Sequence, residues 1–196
     1  MSVNFNSSAT RAARSSRAGA RQDQRGFSMV AMLLSLVIGA ILVGVVYSQF
    51  GDSTRKARIE NAQSEIATMI AGSQKLYGNT NQYGAVTTAI AVRSGVVPAR
   101  LRVGTTTTAQ NIYNGAITFT PATLTTTNDS MVLGYAAVRR EDCQDLVLGS
   151  DSLTRRISVG ATDVKPADAP VNIATLATAC DAAASSAINF TFGRGQ

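Results

Sequence analysis

The chain has 196 residues, of which 45% are hydrophobic and 15% charged, with no histidine, no tryptophan and two cysteines. The missing histidine excludes Ser-His-Asp and Cys-His nucleophiles and histidine-ligated zinc, and two cysteines fall short of an all-thiolate zinc site. The formal charge of +6 is unevenly placed: residues 1–26 carry five arginines and one acid, a net +4, whereas residues 27–196 carry 13 basic and 11 acidic side chains, a net +2. A nearly neutral main domain argues against nucleic-acid binding.

No charge occurs between Arg25 and Asp52, and residues 27–51 form a run of 25 uncharged, mostly apolar residues. About 20 such residues suffice to cross a bilayer as a helix. The arginines ahead of the run hold the N-terminus in the cytoplasm, while the far flank (Asp52, Arg55, Lys56, Arg58, Glu60) is nearly balanced. A secretory signal peptide is the competing reading, with Ile38-Gly39-Ala40 as its cleavage site. Against it, the apolar run continues through Ile41 to Tyr47, so a retained anchor is expected.

No proline interrupts residues 27–97. Beyond Asp52, Ile59, Ile66, Ile70 and Tyr77 recur at helical spacing, with Arg55, Lys56, Arg58, Glu60 and Glu65 expected mostly off that face. The pattern predicts one helix from about Phe27 to Tyr77, roughly 75 Å long. Its first half requires lipid or other apolar helices, and its second half requires a domain that covers one stripe. The expected division is therefore 1–26 as a basic leader, 27–51 as the apolar half-helix, 52–77 as the amphipathic half and 78–196 as a globular head.

The head is expected to be α+β, an antiparallel sheet packed on the second half of the long helix. Residues 78–84 read as a breaker and Val86 to Val92 as a short helix ended by Gly95 and Pro98. Thr105 to Thr108 reads as an exposed loop or strand edge. Ile117 and Phe119 alternate with threonines, Met131 to Val138 reads as the partner strand across a 125–129 loop, and Ile188, Phe190 and Phe192 alternate most cleanly of all. Leu146 and Val147 suit a short helix that buries Cys143, and Ile173 to Cys180 suggests another. Two cysteines in an exported domain most often pair; a 143–180 bridge would close a 38-residue loop worth roughly 4 kcal/mol. An intermolecular bridge and two buried thiols remain the alternatives.

The remaining polar features have unremarkable readings. Glu141, Asp142 and Asp145 lack a calcium-loop pattern and are expected to form a solvated helix face matched to the N-terminal dipole. Asp163 and Asp168 around Lys165-Pro166 read as loop polarity, and the arginine pairs 139–140 and 155–156 as solvated faces. The glycosylation-like triplets at Asn128 and Asn189 are common by chance, and the second falls in a predicted strand. Neither a cofactor nor a metal is expected, and nothing points to an enzyme.

Arg25-Gly26-Phe27-Ser28-Met29, directly ahead of the apolar run, resembles the prepilin peptidase site of the type IV pilin family. The resemblance implies cleavage after Gly26 and N-methylation of Phe27. Glu141 to Val147, the late Cys180, Asn189 to Gly193 and Asn111 to Ala116 resemble the type IVb subclass, which includes the toxin-coregulated, bundle-forming and conjugative thin-pilus pilins. That subclass closes its C-terminal region with one disulfide, which implies Cys143–Cys180, and ends in a core strand. The implied function is a structural subunit inserted in the bacterial inner membrane, N-in and C-out, then drawn by the pilus assembly machinery into an extracellular helical filament of identical copies. Small residues at Ala31, Ser35, Gly39, Ala40 and Gly44 would let the helices approach closely. The sequence departs from the family at Ala31, where a glutamate usually neutralises a neighbour's terminal amine; no acid occurs anywhere in 27–51. The amine then stays hydrated, leans on backbone carbonyls or uses Ser28 or Ser35. This departure keeps a minor pilin or secretion pseudopilin as an alternative. A membrane-anchored periplasmic binding domain is the reading from a different class.

Overall fold

An uninterrupted stretch without proline gives one helix, α1, over Met29–Tyr77. The computed structural model describes residues 29–78, 83–104 and 107–193, with backbone alone at 47–50. The chain divides into two units, Met1–Val45 and Val46–Gln196. The described part of the first is helix throughout.

In the second unit, α1 buries Ile59, Ala62, Ile66, Met69, Ile70 and Ser73. Their spacing of three and four residues places them on one stripe. Two short helical segments follow, α2 (Thr88–Arg93) and a 3-10 turn (Ala99–Leu101). Thr87 caps α2 by accepting from the Ile90 N–H, so the helix starts two residues later than its apolar pattern suggests.

Six strands form one sheet in the order β1-β2-β3-β6-β4-β5, every neighbour antiparallel. They are β1 (Ala109–Gln110), β2 (Ala116–Ala122), β3 (Ser130–Arg139), β4 (Arg156–Val159), β5 (Thr162–Lys165) and β6 (Ser185–Gly193). Helix α3 (Arg140–Gly149) follows β3 directly, and α4 (Ile173–Asp181) precedes β6. The register stacks core residues in rows: Phe119, Leu133, Phe190 and Ile157 form one, and Ile117, Tyr135, Ile188 and Val159 the next. All eight are buried, because side chains of alternating residues share a face.

The expected fold class holds: a long N-terminal helix, an antiparallel sheet and a Cys143–Cys180 disulfide with Cα atoms 5.8 Å apart. The bridge joins α3 to α4. The β4–β5 hairpin has no counterpart in the sequence pattern. Its four-residue strands are too short to alternate visibly, and it turns through Gly160 at φ +59°. Asp168 lies in an exposed turn and pairs with Arg155, whereas Asp163, expected in a loop, lies in β5 and pairs with Arg156. Arg156 stays exposed beside its partner, and Arg155 is half-buried.

Candidate functional site

The first candidate region is the apolar end of α1. All residues from 29 to 46 are exposed, among them thirteen large apolar side chains from Met29 to Val46, each at least half exposed. By length and composition this helix is sufficient to cross a membrane. Ala31, Ser35, Gly39 and Gly44 lie within it. A Cβ built at Gly39 or Gly44 would meet nothing within 4 Å, and Ser35 turns its hydroxyl back to donate to the Met32 carbonyl at 2.9 Å. Gly26 and Phe27 lie outside the described residues.

The second region lies within the head, where α1 is fastened to α3 by charge. Arg55 reaches Asp142 through Nε at 3.2 Å and Asp145 through Nη2 at 2.6 Å, and also donates to the Glu141 carbonyl. Arg58 reaches Asp142 at 2.6 Å and Glu141 at 2.8 Å. Gln63 donates to the Asp145 carbonyl at 3.1 Å. The Asp142 side chain is fully buried, so it is not part of a solvated face as its sequence context suggests. It sits one turn before Leu146 and beside Cys143, both buried, and so it shares the inward face of α3. That spacing was the available signal.

Burial alone would raise the Asp142 carboxyl. Hydrogen bonds from Arg58, proximity to Tyr113, the positive charge of Arg58 and the Arg55 contact outweigh it and hold the carboxyl below its ordinary value. The Arg58 guanidinium is raised, chiefly by its hydrogen bond to Asp142. Tyr113 makes no hydrogen bond of good geometry through its hydroxyl. Its ring underlies Arg58 at 5.9 Å and meets Tyr135 edge-on at 6.2 Å. Burial first, and then the Asp142 charge, push the Tyr113 phenol well above its usual value.

Glu65 extends the same polar seam. It is buried, again contrary to the expected outward placement, and accepts a 2.7 Å hydrogen bond from Tyr135. It lies three residues after Ala62 and four before Met69, which puts it on the buried stripe. Burial, followed by the hydrogen bond to Glu65, raises Tyr135 far above the ordinary phenol range.

Asn111 positions Tyr113. Its side-chain oxygen accepts the N–H groups of Tyr113 and Gly115, and its amide donates to the Ala136 carbonyl at 2.7 Å. Any side chain at Gly115 would run into that carbonyl. The bulge in β3 between Tyr135 and Val138 places Ala137 at φ +61°, and β3 then passes without a loop into α3. Nothing in this arrangement resembles a catalytic constellation. Among the described residues no group of three or more carboxylate or cysteine side chains is placed to hold a metal ion.

Over residues 56–192 the chain matches the family described as PilS N terminal, and over residues 21–47 the prokaryotic N-terminal methylation motif. No curated protein sequence matches it. Among solved structures it is similar to TcpA, a type IV pilin from Vibrio cholerae El Tor biotype, at 15% identity and TM-score 0.55, covering 70% of this chain and 99% of that one. It is also similar to a type IV b pilin from Salmonella typhi, at 18% identity and TM-score 0.50, covering 72% of this chain and 99% of that one. At these identities the structural likeness concerns the fold.

Proposed function

Because the chain belongs to the PilS family and is a pilin subunit of a type IVb pilus, we propose that it is made with the leader 1–26, inserted N-in and C-out, cut between Gly26 and Phe27 and N-methylated at Phe27. The subunit then passes from the inner membrane into an extracellular filament of identical copies, through prepilin peptidase and the pilus assembly machinery. In this reading 27–51 forms the filament core, 52–77 carries the head, and 78–196 forms the outer surface.

The observation that carries the proposal is the set of thirteen exposed apolar side chains on one helix. Each would gain about 1.5–3 kcal/mol on full burial, so no monomer keeps them in water. Lipid covers them first and neighbouring helices later, with little net hydrophobic change. Ala31, Ser35, Gly39 and Gly44 supply the close approach. The role is structural: no residue is assigned to catalysis, and no cofactor takes part.

The test is expression with prepilin peptidase and assembly proteins, comparing the native chain with Gly26→Leu. The native chain is expected to be shortened and to form filaments, and the variant to stay full-length in the membrane. A native chain that is never shortened contradicts the reading. One specific observation favours a second role: with no acid in 27–51, the terminal amine lacks a carboxylate partner in the helix core. A chain that is processed yet enters filaments only at trace level, beside another pilin, supports that minor-pilin or pseudopilin role instead.

A further inference from the structure

An open cavity of about 750 Å³ lies in the head where the start of α3 meets the end of α4. It is lined by three guanidiniums (Arg55, Arg139, Arg140) and three carboxylates (Glu141, Asp145, Asp181). Most of these charges are already occupied. Arg55 holds Asp142 and Asp145, and Arg139 stands 3.8 Å from Glu141. Two are not. Arg140 donates through Nε to the Ala183 carbonyl at 3.2 Å, and among the described residues no carboxylate lies within ion-pair distance of it. Asp181 is exposed and, among the described residues, forms no ion pair.

These two open charges have opposite sign and line the same cavity. Arg140 opens α3, and its backbone N–H donates to the Ala184 carbonyl at 3.1 Å. Asp181 ends α4, next to Cys180, and the disulfide ties Cys180 to Cys143 one turn into α3. A simple anion would meet three carboxylates here, and a simple cation three guanidiniums. A ligand carrying both a positive and a negative charge satisfies both.

The place in the chain narrows the ligand. Arg55 follows Gly51, the end of the uncharged run, by four helical residues, about 6 Å of helix rise. The polar layer beyond the hydrocarbon core of a bilayer is about 5–8 Å deep on each side. In a subunit anchored by residues 27–51, Arg55 on the cavity wall therefore lies at headgroup depth.

We infer that the cavity binds the phosphoethanolamine headgroup of a membrane phospholipid while the subunit is anchored, and releases it on entry into the filament. The phosphate faces Arg140 and Arg139, and the primary ammonium, with three N–H donors, faces Asp181. A choline headgroup has no N–H to donate, and a glycerol headgroup brings no cation. The inference rests on the anchored stage of the proposed function.

The test uses the processed chain, residues 27–196, in nanodiscs holding equal amounts of phosphatidylethanolamine, phosphatidylcholine and phosphatidylglycerol with matched acyl chains. Lipid retained after extraction is counted by native mass spectrometry. Phosphatidylethanolamine is expected to exceed phosphatidylcholine by about fivefold, the scale of a partly exposed ion pair. Arg140→Gln should remove the retention of both phosphatidylethanolamine and phosphatidylglycerol. Asp181→Asn should remove only the preference for phosphatidylethanolamine over phosphatidylglycerol. Both side chains lie on an open cavity, so the fold and the disulfide survive either change.

Equal retention of all three lipids by an inserted chain overturns the inference, as does a phosphatidylethanolamine preference that survives both variants. Retention of phosphatidylglycerol at the same level, indifferent to Asp181→Asn, makes the cavity a general anion site and also overturns it. Soluble phosphoethanolamine competing as well as the lipid would place the ligand in solution rather than in the membrane. A chain that does not enter the bilayer at all contradicts the anchored stage itself, an outcome distinct from insertion without lipid preference.

Discussion

The two ends of α1 face opposite physical problems. Between Ile59 and Ser73 the helix finds its partners within its own chain: an apolar stripe against the sheet and a polar seam that leaves Asp142 and Glu65 buried but paired. Between Met29 and Val46 every large apolar side chain is at least half exposed. The same local propensity builds both stretches. What differs is whether the side chains are satisfied by the chain itself or by something outside it. Head stability and filament assembly are therefore separable, and perturbations on one side should leave the other intact.

The sharpest separation comes from a charge in the apolar stretch. Ile38→Lys should reduce filaments to an undetectable level, since every copy would carry a cation into the helix core. The thermal unfolding of the head should not move, and calorimetry on the detergent-extracted chain measures this. A matching loss of head stability would break the comparison.

The converse changes act on the head. Replacing both Cys143 and Cys180 by serine should lower unfolding free energy by about 4 kcal/mol, measured by denaturant titration. Membrane insertion should be untouched. Asp142→Asn should cost about 2–3 kcal/mol, less than a fully buried pair because Arg55 is 40% exposed. It should also change the pH profile. The Asp142 carboxyl lies below its unfolded value in the native head, so its contribution is complete above about pH 4 and fades as pH falls through the lower folded value. The native head should lose stability in that acidic range, and the asparagine variant should lose less. The smallest effect is expected at the bulge. Ala137 sits at φ +61°, where an L side chain is strained, and Ala137→Gly should raise stability by roughly 0.5–1 kcal/mol.

Legibility in the sequence follows the same division. The apolar stretch is visible because nothing in the head modulates it: 25 residues without a charge need no tertiary information to interpret. Strands β2, β3 and β6 are visible because each is long enough to alternate, and α3 and α4 because Leu146, Val147 and Leu176 keep helical spacing to the cysteines. The β4–β5 hairpin is hidden because four residues do not make a period, and its edge strand carries Asp163 outward. The seam is hidden for a different reason. A charged residue on an inward face looks like a surface residue until its partner, here 84 residues distant between Arg58 and Asp142, is known. The spacing of Asp142 to Leu146 points inward, and the long-range pairing supplies the reason a carboxylate is tolerated there.

Where the mature chain begins and where it ends up decides between a filament subunit and an anchored domain. Intact mass and N-terminal sequencing of the protein from sheared cell-surface material tests it. The expected result is an abundant chain that starts at N-methylated Phe27, with Cys143 and Cys180 oxidised to one intramolecular bridge. A chain that retains residues 1–26, or one cut beyond Ala40, would contradict it, because the apolar half-helix would then lack either its freed end or most of its length.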